Sequence, residues 1–145
     1  MLPVHAYHRY HLPVGGLVKE SFLVHGKVFT QVKIEDHKLV SRDSTKSGYE
    51  FSQTRGVVTI DTAESDCGDI GIVAVIPVGM AHVSSVVLTS SEGKHMAKGE
   101  EFGYFQFGGS DIIILFQHGV DPQIDKSEGF RLIGTPAARC SPRPV

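Results

Sequence analysis

Residues 105–117 read FQFGGSDIIILFQ, two glycines and a serine set directly before a run of apolar β-formers. Ile112 to Phe116 are the residue types enriched in strands, and EFGYFQF at 101–107 has the same character. Between the two runs, Gly108-Gly109-Ser110 reads by composition as a hairpin turn. Glycine adopts positive φ at no steric cost, and Gly-Gly or Gly-Ser commonly joins two strands. Strand, glycine punctuation, strand is the pattern from which the fold class follows.

Outward from it the same grammar repeats. GLVKESFLV (16–24) and GKVFTQVKI (26–34) flank His25-Gly26, which reads as a tight turn. RGVVTID (55–61) alternates loosely, DIGIVAVI (69–76) is a continuous buried-type run, and AHVSSVVLT (81–89) is β-branched. No adequate window repeats apolar residues at i, i+3, i+4 and i+7 with helix caps. The polar stretch EDHKLVSRDSTKSGYEFSQT (35–54) is expected to be a long loop or one short helix, and TSSEGKHMAKGE (89–100) a second loop. The Pro-rich GTPAARCSPRPV (134–145) is expected to fray. The sequence predicts a mainly β, compact barrel or sandwich of short strands with at most one or two short helices. Residues 1–145 read as a single domain, since no linker or internal repeat divides them.

Bulk properties narrow the function classes. Fourteen Lys and Arg against sixteen Asp and Glu give a formal charge of −2 without a basic run, which argues against nucleic acid as a partner. Cys67 and Cys140 match no zinc or CxxC spacing and read as isolated thiols in a reducing compartment. The longest apolar run, IGIVAVIPVGMA (70–81), is too short and too β-branched for a transmembrane helix. MLPVHAYHRYH lacks a signal-peptide core. The expected location is cytoplasmic or peripheral to a membrane.

Candidate chemistry is sparse. His5, His8 and His11 recur at spacing three in HAYHRYH, but no cysteine or carboxylate joins them in sequence, so no metal is assigned. Ser110 lacks the G-x-S-x-G elbow of a hydrolase, and there is no phosphate loop or dinucleotide fingerprint.

Three strings in order, YHRYHLPVGG, IVAVIPVGMAHVSSVVLT and KGEEFGYFQFGGSDIIILF, resemble the phosphatidylserine decarboxylase family from about Tyr7 to about Phe116. GYEFSQTRGVVTIDT further resembles soluble relatives that decarboxylate amino acids such as tryptophan. The resemblance implies self-cleavage at Gly109-Ser110. Ser110 Oγ attacks the Gly109 carbonyl, the resulting ester eliminates, and the dehydroalanine hydrolyses to a covalent pyruvoyl group. The products would be a β chain, residues 1–109, and an α chain, residues 110–145. An unshielded glycine carbonyl in a backbone that tolerates strain suits that attack. His11 takes the part of the maturation base and His8 that of the group returning a proton to the substrate. Imidazole suits both roles because it titrates near neutrality. The pyruvoyl carbonyl would take the substrate amine as a Schiff base and act as electron sink while CO2 leaves.

The resemblance also sets a departure. Family members orient the base histidine with an aspartate well N-terminal to YHRYH, and no aspartate precedes Tyr7 here. Asp36, Asp43, Asp61, Asp66, Asp69 and Asp111 are among the aspartates available, and Asp111 stands beside the nucleophile. The expectation is therefore either a piece of a longer enzyme or a divergent member that processes slowly or not at all. Phosphatidylserine or a small amino acid is the expected substrate, the latter as in a soluble aromatic L-amino-acid decarboxylase. The reading from another class is an unprocessed, inactive β-barrel serving as a binding module. Exposed edges in such folds pair in dimers, so a homodimer is carried as an expectation.

Overall fold

β-Branched runs short enough for strands and separated by glycine leave the chain one economical way to satisfy its backbone, which is antiparallel pairing. The computed structural model describes residues 7–27, 31–42, 52–79, 85–106, 110–126 and 129–142, with the backbone alone for 31–33, 38–42 and Ser110. Its strands in order are β1 (Arg9–His11), β2 (Gly16–Val24), β3 (Gln31–Glu35), β4 (Lys38–Arg42), β5 (Arg55–Asp61) and β6 (Ile72–Gly79). They continue with β7 (Val86–Leu88), β8 (His95–Met96), β9 (Glu101–Phe105), β10 (Ser110–Phe116), β11 (Gln123–Ile124) and β12 (Ala138–Arg139). The described residues contain no helix, so the fold is mainly β, as the sequence predicts.

A five-stranded sheet in the order β10-β6-β5-β2-β8 faces a three-stranded sheet in the order β1-β9-β7. Val18, Val58, Ile60, Val73 and Val75 from the larger sheet meet Tyr10, Val86, Phe102 and Phe105 from the smaller one in a single core. Each such fully buried apolar side chain contributes about 1.5–3 kcal/mol relative to exposure. The sheets approach closely at Gly56, where Leu88 and Val86 of β7 and Pro77 of β6 occupy the space a side chain would need. In β5 burial alternates strictly, with Gly56, Val58 and Ile60 inward. DIGIVAVI alternates too, Val73 and Val75 being buried while Ala74 and Ile76 are half-buried on the outer face.

Five expectations about connections change. β9 pairs with β1 and β7 while β10 pairs with β6, so Gly108-Gly109-Ser110 joins strands of different sheets and is not a hairpin turn. Its residues 107–109 lie outside the described residues. His25-Gly26 does not turn β2 back on β3: β2 pairs with β5, and the chain runs on to a parallel bridge between Lys27 and Gln53. The start of the expected loop at 35–54 is half of a hairpin, β3–β4, turned at Asp36-His37 with φ of 47° and 60°. The polar 89–100 stretch contributes β8, whose Met96 is buried against the core. The expected fray at the end is held as far as Pro142, since β12 pairs with β11 and Cys140 packs against the core.

Candidate active site

The segment carrying both histidines of interest is anchored by the residue between them. Tyr10 is 2% exposed and packs between Phe102, tilted at 54°, and Phe105, edge-on at 67°, with ring centroids 4.9 and 4.7 Å away. Its hydroxyl lies 2.6 Å from the Tyr104 carbonyl and 3.0 Å from that of Val87, and donates to them. Burial pushes that hydroxyl well above the usual tyrosine range. Arg9, alternating outward, pairs with Glu101 and lies over the Tyr104 ring. Exposed pairs of this kind are worth under about 1 kcal/mol, so Tyr10 is the anchor.

His8 lies just before β1, and its carbonyl accepts the Phe105 N–H at 2.9 Å. β9 ends there, and after the crossover Ser110 opens β10 opposite Gly79. His8 is therefore placed at the strand end that leads into the Gly-Gly-Ser segment. Its ring is half-buried, and Nε2 is buried without a hydrogen-bond partner among the described residues. An unmet buried polar atom costs about 1–3 kcal/mol, and the described residues supply no partner for this one.

His11 occupies the other end of β1. Its Cα pairs with Glu101, four residues before Phe105 along β9, on the order of 13 Å at the rise of a strand. The register shifts between Tyr10 and His11, and such a bulge re-aims the side chain beyond it. The His11 ring stacks on Tyr7 at 5.8 Å and 21°, with Nε2 2.7 Å from the Tyr7 hydroxyl and Nδ1 2.7 Å from the Gly99 carbonyl. Gly99 has φ of +82° in a turn stitched to the next residue of the His11 segment. Gly99 N–H donates to the Leu12 carbonyl at 2.8 Å, and Leu12 N–H donates to the Glu100 carbonyl at 3.0 Å. The Glu100 carboxylate closes the turn on Ala97 N–H and Lys94 Nζ. The Lys94 bond, then that from Ala97, holds its carboxyl below the usual range.

Of the sequence-derived site residues, Gly109 and the side chain of Ser110 lie outside what the structure describes, as do His5 and Asp43. Asp61 and Asp69 accept backbone N–H groups from Ala63 and Gly71 in the loop between β5 and β6. Asp111 is half-buried in β10 opposite Val78. Among the described residues no three His, Cys, Asp or Glu side chains are grouped to hold a metal ion. Tyr7 and Gly99 escape a reading of the sequence as partners of His11. The doubled tyrosines of YHRYH are the only local signal for the first, and eighty-eight positions separate His11 from the second.

At the Gly79 end of β6, next to Ser110, the Gly79 N–H donates to the Thr54 carbonyl at 2.9 Å. The Thr54 hydroxyl bonds both the N–H and the carbonyl of Gly26. Gln53, Thr54 and Arg55, the polar centre of the GYEFSQTRGVV string, thus lie one strand away from the head of β10.

Comparison with known proteins bears on the family of the chain. The sequence profile of the family described as phosphatidylserine decarboxylase matches residues 1–135. A phosphatidylserine decarboxylase proenzyme of Chlamydia trachomatis is 34% identical over 112 residues, covering 77% of this chain and 33% of that protein. Phosphatidylserine decarboxylase proenzyme 2 of rice, Oryza sativa subsp. japonica, is 33% identical over 113 residues, 77% of this chain and 16% of its own length. An L-tryptophan decarboxylase of Psilocybe cubensis is 34% identical over 121 residues, 78% of this chain and 27% of its own. The chain thus spans a third or less of the length of these relatives. A profile matched over nearly the whole sequence, together with such relatives, shows that the chain belongs to the phosphatidylserine decarboxylase family.

Proposed function

We propose that this chain carries the catalytic core of a pyruvoyl-dependent decarboxylase that matures by cutting itself between Gly109 and Ser110. The observation that carries the reading is the crossover between β9 and β10. The described residues that flank it are fixed, Phe105 by its bond to the His8 carbonyl and the Ser110 backbone by pairing with Gly79. Proximity of reacting groups supplies several kcal/mol toward an intramolecular attack, and fixed flanks favour it. His11 is the base that relieves the Ser110 hydroxyl of its proton, since a neutral hydroxyl is a weak nucleophile. Elimination then leaves the Gly109 carboxylate on residues 1–109, and hydrolysis with loss of ammonia leaves a keto-acyl terminus on residues 110–145.

The residues present fit that group. The β10–β6 ladder running from Ser110 to Phe116 holds the new terminus in place, and the unpartnered Nε2 of His8 lies in the segment bonded to the preceding strand. When present, the pyruvoyl carbonyl supplies an electron sink for CO2 loss from an α-amino acid. His8 is the group that returns a proton to the substrate Cα.

The substrate is phosphatidylserine or a related amino acid. The relative from Psilocybe, named for tryptophan, favours a water-soluble aromatic amino acid as the second reading. No helix among the described residues is long and apolar enough to cross a membrane. Peripheral contact or a cytoplasmic location, and pairing in a homodimer, belong to the same proposal.

Intact mass of the purified chain tests the reading. Two fragments dividing at 109/110, the smaller without a free amine, are expected, and Ser110→Ala abolishes them. His11→Ala should leave the chain uncut, whereas His8→Ala should cut and then lose decarboxylation by about a hundredfold or more. Release of CO2 from phosphatidylserine vesicles or from free tryptophan separates the two substrates. A single uncut species after long incubation refutes self-processing in this chain and leaves the inert binding module as its reading.

A further inference from the structure

We propose that Tyr7 and the Gly99 carbonyl are positioning groups that lock the His11 imidazole in one tautomer, with Nε2 as its proton-accepting nitrogen. The inference rests on the reading of His11 as the maturation base. A carbonyl oxygen only accepts, so the 2.7 Å contact requires Nδ1 to carry the hydrogen. A neutral imidazole has one N–H, which leaves the lone pair on Nε2, and the Tyr7 hydroxyl donates to it at 2.7 Å. Stacking of the Tyr7 ring holds the plane of the imidazole, and the bulge after Tyr10 sets the direction from which it arrives. Both ring nitrogens and one ring face are thus engaged, by Gly99 and by Tyr7.

A base histidine commonly owes its tautomer to a carboxylate or backbone carbonyl on the nitrogen it does not use. Here the main chain of a tight turn does that work. The positive φ of Gly99 aims the carbonyl, and the Glu100 carboxylate with the two Leu12 bonds fixes the turn. When Nε2 takes a proton, the Tyr7 hydroxyl rotates from donor to acceptor, so the same pair holds the imidazolium.

The test is the tautomer itself, read from the two-bond proton–nitrogen correlations of nitrogen-15-labelled Ser110→Ala chain, which stays whole in any event. At mildly alkaline pH His11 should show a protonated Nδ1 and an imine-type Nε2. Tyr7→Phe, a change at a half-exposed side chain, should move the Nε2 signal toward that of an unbonded imine and leave Nδ1 protonated. Gly99→Val, which disfavours the left-handed backbone, should release the ring to a mixture, and Gly99→Asn, which tolerates it, should restore one tautomer. With Ser110 present, Gly99→Val should lengthen the cleavage time about tenfold or more. An Nε2-protonated or averaged His11 in the unaltered turn, or nitrogen shifts indifferent to Tyr7→Phe, overturns the inference. A locked tautomer in a chain that never cuts leaves the inference standing and removes the proposed function instead.

Discussion

Gly103 faces Tyr10 across the β1–β9 pair, and a methyl group there would run into the Tyr10 ring and the Val87 carbonyl together. Neither is the free end of a flexible chain. Gly103→Ala should therefore destabilise the fold by about 3 kcal/mol, read from the denaturation midpoint. Tyr10→Phe tests the polar half of the same anchor. It leaves the Val87 and Tyr104 carbonyls short of a donor, at a cost of about 1–2 kcal/mol. The sign of its pH dependence follows from burial, which raises the folded pKa above the unfolded one. The neutral hydroxyl's contribution is complete below about pH 10 and is lost as pH rises through the folded value, because the unfolded chain deprotonates first. The stability difference between wild type and Tyr10→Phe should shrink above pH 10; a difference that grows there would contradict it. At this scale the histidines and Ser110 can be singled out from the sequence as candidates, since their strings resemble the family pattern. Tyr10, Gly103 and Gly99 are not, because their meaning lies in contacts across strands distant along the chain.

Strands themselves were written plainly in β-branching and glycine spacing, and partners were not. FQFGGSDIIILF has the grammar of a hairpin, but the turn type alone does not say which sheet each arm joins. Burial decided it: Phe105 closes the core over Tyr10, while Phe116 packs on the far edge of the larger sheet. The β3–β4 hairpin was hidden for the opposite reason. Its turn is Asp36-His37, where the Asn-Gly or Asp-Gly signature is absent although both residues have positive φ. A non-glycine there costs about 1–2 kcal/mol, and glycine returns part of that as entropy in the unfolded chain. His37→Gly should accordingly slow amide exchange in residues 31–42 about twofold, a local gain of roughly 0.5 kcal/mol. Faster exchange would mean that His37 contributes a contact that outweighs the strain.

For the whole molecule, the question is whether one fold survives division at 109/110. The smaller piece would keep the seven-residue ladder of β10 on β6, the β11–β12 pair, and Phe116, Val120 and Cys140 against the core. The larger piece would keep both sheets apart from their edge strand. Because β10 lies at an edge, its loss opens one side of β6 without separating Tyr10, Phe102 and Phe105. That side then presents an unpaired strand to which a β-forming segment adds. Residues 1–109 and 110–145 expressed as separate chains should therefore co-elute under native conditions at micromolar concentration and part only in denaturant. Phe116→Asp, which puts a charge where the core ends, should abolish the association while leaving the larger fragment folded. Wild-type fragments that elute apart would show that β10 is held by chain continuity rather than by its ladder. A cut at the crossover would then dismantle the site it is proposed to create.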